Sequence, residues 1–238
     1  MKKIVITAGG TSEKIDQVRK ITNSSTGKLG MEITKHLLES QDDIIIYYVC
    51  SKSSYRPIDK RVQVIEIKGT IDLKKTVEDL LLNESIDVFI HSMAVSDYMT
   101  DYVTTLSYIK ESVKKYPSLD EAFSHIKVLD GNKISSYEDH LVIVLKPTPK
   151  IISLIKTISP TTYLVGFKLL DGVDKKTLIQ VAKNLRDKNQ CDLVVANDLE
   201  LIRKGEHRAY LVDKEDQVEE ALSKDDIAQK LVRRISSI

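Results

Sequence analysis

The sequence predicts an α/β protein: a three-layer, Rossmann-like open sheet, mostly parallel, with helices on both faces and one long flap insertion. Three observations lead there. Short β-rich runs alternate with stretches of helical period, several of the runs are apolar on both faces, and one polar segment breaks the alternation. Strand–helix alternation implies right-handed crossovers between parallel strands, and a sheet covered on both sides needs strands that are apolar on both faces.

Taken in order, residues 4–8 (IVITA), 44–49 (IIIYYV), 62–67 (VQVIEI) and 88–91 (VFIH) read as strands. Residues 141–145 (LVIVL), 163–167 (YLVGF), 193–196 (LVVA) and 208–212 (RAYLV) continue the same series. Between them, Leu29, Ile33 and Leu37 recur at helical spacing and predict a helix over 28–40 with one apolar stripe. Similar periodicity predicts helices over 71–83, 150–157, 175–188 and 224–235. Residues 99–132, rich in Tyr, Ser, Lys and Thr, are too long for a plain connection in a compact domain; such a segment is a lid or a disordered stretch, and here a partly structured insertion is expected. Within them, 108–116 and 119–126 predict two short helices. No repeat or Pro/Gly-rich linker divides the chain, so 1–238 reads as a single domain with an excursion.

The 36 basic and 35 acidic side chains of this 238-residue chain leave a net charge of +1, which argues against general binding to nucleic acid. Cys50 and Cys191 end or flank apolar runs without a CxxC spacing, as reduced buried thiols do. The opening MKKIVIT leads straight into a strand, and no apolar run approaches the roughly 20 residues of a membrane span, so a cytoplasmic protein is expected.

Familiar motifs fail. In a P-loop the residue five before Gly27 would be glycine and is Thr22, and Leu29 stands where a magnesium-binding hydroxyl belongs. The dinucleotide fingerprint fails after Gly9-Gly10, because the helix starts too late. Tyr48/Lys52 and Tyr210/Lys214 have a dehydrogenase-like spacing but lie at strand ends, where four residues span roughly 13 Å. The five histidines show no metal-ligand spacing, and of them His91 alone ends a strand near the expected site.

The strand ends carry a coherent set. After the first come Gly9, Gly10 and Thr11, then Arg19, Asn23 and the helix approach Ser24-Ser25-Thr26-Gly27. After 88–91 come Ala94 and Asp97; later follow Lys133, the run Lys146 to Lys150, Phe167-Lys168 and Asn197-Asp198. Glycines admit close backbone approach, and hydroxyl-rich helix starts offer donors to anions, so the set reads as a phosphate site. Taken singly the members have plainer readings: one hydroxyl of 24–26 is a good N-cap, Asn197-Asp198 a turn, Asp97 a strand end and Lys133 a solvated cation. One N-cap accounts for one hydroxyl, not three in a row.

The stretch ITAGGTSEKIDQVRKITNSSTGKLG closely resembles the N-terminal signature of phosphopantothenate–cysteine ligases, and MAVSDY, KISS, LKPTPKII, VGFK and VVAND follow in that family's order. Residues 99–132 and those beyond 198 fall outside the resemblance. It implies a ligase that activates 4'-phosphopantothenate with a nucleoside triphosphate and Mg2+, releases pyrophosphate, and passes the acyl group to L-cysteine for coenzyme A biosynthesis. By the same resemblance Asn23 holds the acyl group, Arg19 lies near the reacting carboxylate or cysteine, and Lys133 on a mobile flap stabilises α-phosphate charge. Asp97, Pro149, Lys150, Ile151, Ile152 and Phe167 match nucleotide-contacting positions, and Gly9, Gly10, Ser24, Ser25, Thr26 and Gly27 would cradle phosphates.

The likeness to bacterial forms points to CTP rather than ATP, to a homodimer, and to a free-standing ligase whose decarboxylase is a separate protein. Two family lysines four apart before VVAND have no clean match in AKNLRDKNQCD, where Lys183 and Lys188 fit only with a shift. Competing expectations are an NAD(P)-dependent oxidoreductase and a non-catalytic nucleotide-binding protein.

Overall fold

The computed structural model describes residues 1–129, 133–138 and 140–238. The chain begins β1 (Lys2–Ala8), β2 (Ser12–Lys14), β3 (Lys20–Thr22), α1 (Lys28–Ser40), β4 (Ile44–Ser51), β5 (Val62–Ile67), α2 (Thr70–Asn83) and β6 (Val88–His91). It continues with β7 (Tyr98–Thr105), α3 (Leu106–Lys115), α4 (Leu119–Ser124), β8 (Leu141–Pro147), α5 (Ile151–Ile158) and β9 (Tyr163–Leu170). It closes with α6 (Lys175–Asn189), β10 (Leu193–Asp198), α7 (Leu199–Arg203), β11 (Ala209–Asp213), β12 (Val218–Ala221) and α8 (Lys224–Ser236). Among the described residues no helix is long and apolar enough to cross a membrane.

Eight strands form one sheet in the order β12-β11-β10-β9-β6-β1-β4-β5, parallel from β10 to β5 and antiparallel at β11 and β12. The strands are apolar on both faces because both are covered. Ile4, Ile6, Val88 and Ile90 face Ile33 and Leu37 of α1 and Ile227 and Leu231 of α8. Val5, Phe89 and Leu164 face Leu73 and Val77 of α2, Ile155 of α5 and Leu178 of α6. Each such buried aliphatic side chain contributes about 1.5–3 kcal/mol relative to leaving it in water.

The connection through α1 carries the chain from β1 to β4 on one side, whereas β6 joins β1 on the other. In open α/β sheets that reversal leaves a crevice at the carboxyl ends of the strands, where ligands bind.

The helices over 28–40 and 175–188 fall where the periodicity places them, and the remaining predicted helices lie within a few residues of their expected bounds. One strand does not. LVIVL was expected in the main sheet, but β8 pairs antiparallel with β7 in a separate two-stranded arm that carries α3 and α4. Its apolar run suggests a core strand, yet residues 141–144 are only half-buried because a single partner strand covers them. The excursion expected over 99–132 thus opens with most of β7 and is followed by its partner β8; its last residues, 130–132, lie outside the described ones.

The short hairpin of β2 and β3 was also unforeseen, since SEK and KIT carry no strand pattern and owe their form to what they touch.

Candidate functional site

A cleft of about 530 Å³ opens at the carboxyl ends of β1, β6, β9 and β10. Of the residues singled out in the sequence, Ser24, Ser25, Thr26, Gly27, Ala94, Asp97, Ile152 and Phe167 line it. Lys168 and Asn197 join them, together with His91 on the floor. Gly9, Gly10, Thr11, Asn23, Arg19, Lys133, Pro149, Lys150 and Ile151 are outside the lining.

The helix approach differs from the expected cap. Asp174 and Ser223 cap α6 and α8 through their side chains, at 2.7 Å and 3.0 Å. The N-cap of α1 is Gly27, with φ of 76° and no side-chain cap. Thr26 reaches back only weakly, accepting from the Lys28 amide at 3.4 Å. A left-handed residue sits easily at glycine, so the backbone turns without a side-chain cap while Ser24, Ser25 and Thr26 line the cleft.

The glycine turn has another job. Gly10 bridges Ala94, whose amide donates to the Gly9 carbonyl at 2.8 Å. A Cβ on Gly10 would fall 2.1 Å from the Asn23 carbonyl oxygen, and one on Gly9 1.9 Å from Ser54 Oγ. Thr11 is fully buried, and its hydroxyl accepts from the Ser96 amide at 2.9 Å. These residues therefore clamp the first connection against the 94–97 loop.

Asn23 is what the clamp holds. Its amide donates to the Thr11 carbonyl at 3.1 Å, and its side-chain oxygen accepts from Ser96 Oγ at 3.2 Å. The side-chain nitrogen makes no hydrogen bond among the described residues, so an oriented neutral donor stands directly before Ser24.

Arg19 is committed elsewhere. Its guanidinium donates to the Ile134 carbonyl at 2.6 Å and pairs with Asp16 at 3.2 Å. Asp16 is buried and accepts from the amides of Val18, Arg19 and Ile134 at 2.7, 2.6 and 3.3 Å. Those backbone donors, Arg19's foremost, hold its carboxyl below the usual carboxylate range. The result is a latch from the β2–β3 hairpin to the segment beginning at Lys133, which is exposed. Sequence reading passed over Asp16; its position three before Arg19 in a polar turn was the available signal.

Asp97 is exposed and pairs with Lys150, the N-cap residue of α5. Asp198 accepts from the amides of Gly172, Val173 and Glu200, so it holds a loop and caps α7, as the plain turn reading has it. Lys183 pairs with Asp216 at 3.1 Å, outside the cleft lining. His91 Nδ1 lies 2.8 Å from Thr7 Oγ1, its direct cross-strand partner, and burial pushes its pKa down to about 4, which makes it neutral.

Two cleft residues, His207 and Lys224, were not foreseen. Lys28 also lines the cleft; its charge and burial hold Lys224 below the usual lysine range, burial being the larger cause. Burial and the Lys224 charge likewise lower His207. Among the described residues, Glu32, His36 and Asp225 are the one group of three whose ligand atoms lie within 4.8 Å of one another, and they do not line the cleft.

The family of the DNA/pantothenate metabolism flavoprotein C-terminal domain matches residues 1–120 and 123–238. The crystal structure of a DNA/pantothenate metabolism flavoprotein from Streptococcus pneumoniae is 41% identical, with a TM-score of 0.87 over 100% of this chain and 99% of that one. The coenzyme A biosynthesis bifunctional protein CoaBC of Thermococcus kodakarensis is 29% identical over 90% of this chain. The chain spans 45% of that relative's length and about half of the CoaBC protein of Methanocaldococcus jannaschii. A Cab2 mutant in complex with phosphopantothenate-cysteine shares the fold, at 17% identity and a TM-score of 0.71 over 99% of this chain and 87% of that one.

Proposed function

The chain belongs to the DNA/pantothenate metabolism flavoprotein C-terminal domain family, and from that premise we propose that it joins 4'-phosphopantothenate to L-cysteine in coenzyme A biosynthesis. The names of the bifunctional relatives and the ligand of the Cab2 complex support the reading. The observation that carries it within this chain is the Asn23 side-chain nitrogen, without a hydrogen bond among the described residues and next to an uncapped helix start whose hydroxyl residues line the main cleft.

In this reading the substrate carboxylate attacks the α-phosphorus of CTP. The bond to the bridging oxygen breaks, its electron pair leaves with pyrophosphate, and an acyl-cytidylate forms. The cysteine amine then attacks the acyl carbon, CMP departs with the bonding pair, and the amine proton passes to solvent. Both steps gather negative charge, so fixed donors contribute most. Asn23 donates to the acyl or phosphoryl oxygen without placing a second charge there. Ser24, Ser25 and Thr26 offer donors to phosphate oxygens, and Ile152 and Phe167 give an apolar wall to the base and ribose.

Arg19 acts first through the latch, holding the loop that delivers Lys133 to the α-phosphate. Mg2+ suits this donor set as an ion held mainly by triphosphate oxygens and water, since Asp97 is the one carboxylate lining the cleft among the described residues.

The proposal extends to a cytoplasmic homodimer whose product passes to a decarboxylase. The arm packs on α3 through β7 but leaves residues 141–144 of β8 only half-buried, which favours a second copy packed against that strand. Light scattering after gel filtration tests this, and a monomer that turns over would refute it.

The central test is pyrophosphate release with CTP, with ATP and without nucleotide, each in the presence and absence of 4'-phosphopantothenate and cysteine. Release that needs phosphopantothenate and is faster with CTP is expected. No turnover with either nucleotide would overturn the assignment, and faster release with ATP would overturn the CTP preference.

A further inference from the structure

The chain as a whole is balanced in charge, and most of its lysines near an acid are paired: Lys3 with Glu84, Lys156 with Asp192, Lys204 with Glu200, Lys230 with Asp226. The cleft is different. Lys28, Lys168 and Lys224 line it, and none forms an ion pair among the described residues. Its one carboxylate, Asp97, is already held by Lys150. Concave walls of low polarisability concentrate such a field, and an excess of cations there attracts a polyanion.

Within this set Lys28, Lys224 and His207 form a cluster. They come from α1, from α8 and from the loop before β11; the Lys28 charge acts on Lys224, and the Lys224 charge on His207. Packing of α1 against α8 fixes two of them on one wall. Holding like charges together costs free energy in the empty cleft, and a bound polyanion removes that cost. Ser24, Ser25 and Thr26 share the cleft, so one anion can meet neutral donors and cations together.

We propose that Lys224, with Lys28 and His207, forms the polyphosphate arm of the cleft, taking the β- and γ-phosphates of the nucleotide and then the departing pyrophosphate. The identity of the anion rests on the ligase reading; the cation cluster itself does not. When the carboxylate oxygen bonds to the α-phosphorus, the pair of the broken phosphoanhydride bond goes to the bridging oxygen of pyrophosphate. Lys224 and Lys28 neutralise the charge that develops there. The arm lies partly in residues beyond 198, outside the motifs that resemble the ligase signature.

Titration calorimetry with inorganic pyrophosphate tests the arm directly, on the intact chain and on Lys224→Ala, Lys224→Arg, Lys28→Ala and, as a control on the arm-borne helix α3, Lys114→Ala. The intact chain and the control should bind alike. Loss of one charge-assisted contact should weaken binding about 10-fold or more in Lys224→Ala and Lys28→Ala, whereas Lys224→Arg keeps most of the affinity. Thermal unfolding of each variant checks the fold, and because the two lysines lie on different helices one carries the test if the other destabilises.

Unchanged pyrophosphate affinity in both folded alanine variants overturns the arm, even if the enzyme turns over. Loss of affinity in a chain with no ligase activity leaves the arm standing and removes the ligase assignment.

Discussion

The two ends of the first βα connection are made of similar residues and do opposite things. Gly9-Gly10-Thr11 is buried, and every polar group of Thr11 that the structure describes is spent on the 94–97 loop or on Asn23. In the run 24–27 Ser24 and Thr26 are exposed, the helix is uncapped, and the three hydroxyl residues line the cleft. Composition alone makes both look like phosphate cradles. What separates them is whether donors and acceptors are already used, and only packing decides that.

The sharpest way to break this comparison is at Asn23, where the two ends meet. Asn23→Asp keeps the size and the bond from Ser96 but replaces the side-chain donor with a charge, which in the proposed reaction would face phosphates. Loss of one oriented donor in such a site costs about 10²–10³ in kcat. The expected outcome is a loss of that size with unfolding temperature preserved, read by pyrophosphate release and by differential scanning fluorimetry. An active Asn23→Asp variant would remove the catalytic role of this amide.

Gly10→Ala tests the clamp. The added methyl would sit 2.1 Å from the Asn23 carbonyl oxygen, against backbone that cannot swing aside. Overpacking of this kind costs typically 1–3 kcal/mol. Urea unfolding should show that loss, together with lower activity because Asn23 is displaced. A stable but inactive variant would instead mean that the glycine faces a ligand.

The parallel sheet was legible because its physics is local: β-rich runs with two apolar faces, and helices such as 28–40 with one apolar stripe. The arm was not, because LVIVL has the composition of a core strand while its partner YMTDYVTT, though rich in Tyr and Thr, has no apolar run to mark it. In the site, Asn23 and the 24–27 run were visible as a motif. Lys224 and His207 were not, since nothing in sequence brings α8 beside α1 except the order of strands between them. Asp16 escaped for a similar reason: its value lies in reaching Ile134, far along the chain.

That latch gives the next test. The Asp16 carboxyl is held below its ordinary range, so its stabilising contacts are complete above the unfolded carboxylate pKa, about 3.9, and are lost as pH falls through the folded value. Hydrogen exchange at the Ile134 amide, relative to its intrinsic rate at the same pH, should quicken on acidification through that window in the intact chain. In Asp16→Asn it should be fast already at neutral pH and lose this pH response. Equal protection in both proteins would show that Arg19 and Asp16 do not fasten the Lys133 segment.

The smallest expected effect separates the two ends most cleanly. A true N-cap hydroxyl is worth about 1 kcal/mol, and its removal from a helix as well packed as α1 would be measurable. Ser24, Ser25 and Thr26 do not cap α1, so Ser24→Ala, Ser25→Ala and Thr26→Ala should each change stability by under about 0.5 kcal/mol, as surface substitutions do. Each hydroxyl lost should instead raise the KM for nucleotide several-fold, since a neutral hydrogen bond is worth about 0.5–1.5 kcal/mol. If stability falls by a full kcal/mol while KM stays fixed, the run is a helix start and nothing more. If KM rises at constant stability, the uncapped turn at Gly27 is what frees these side chains for phosphate.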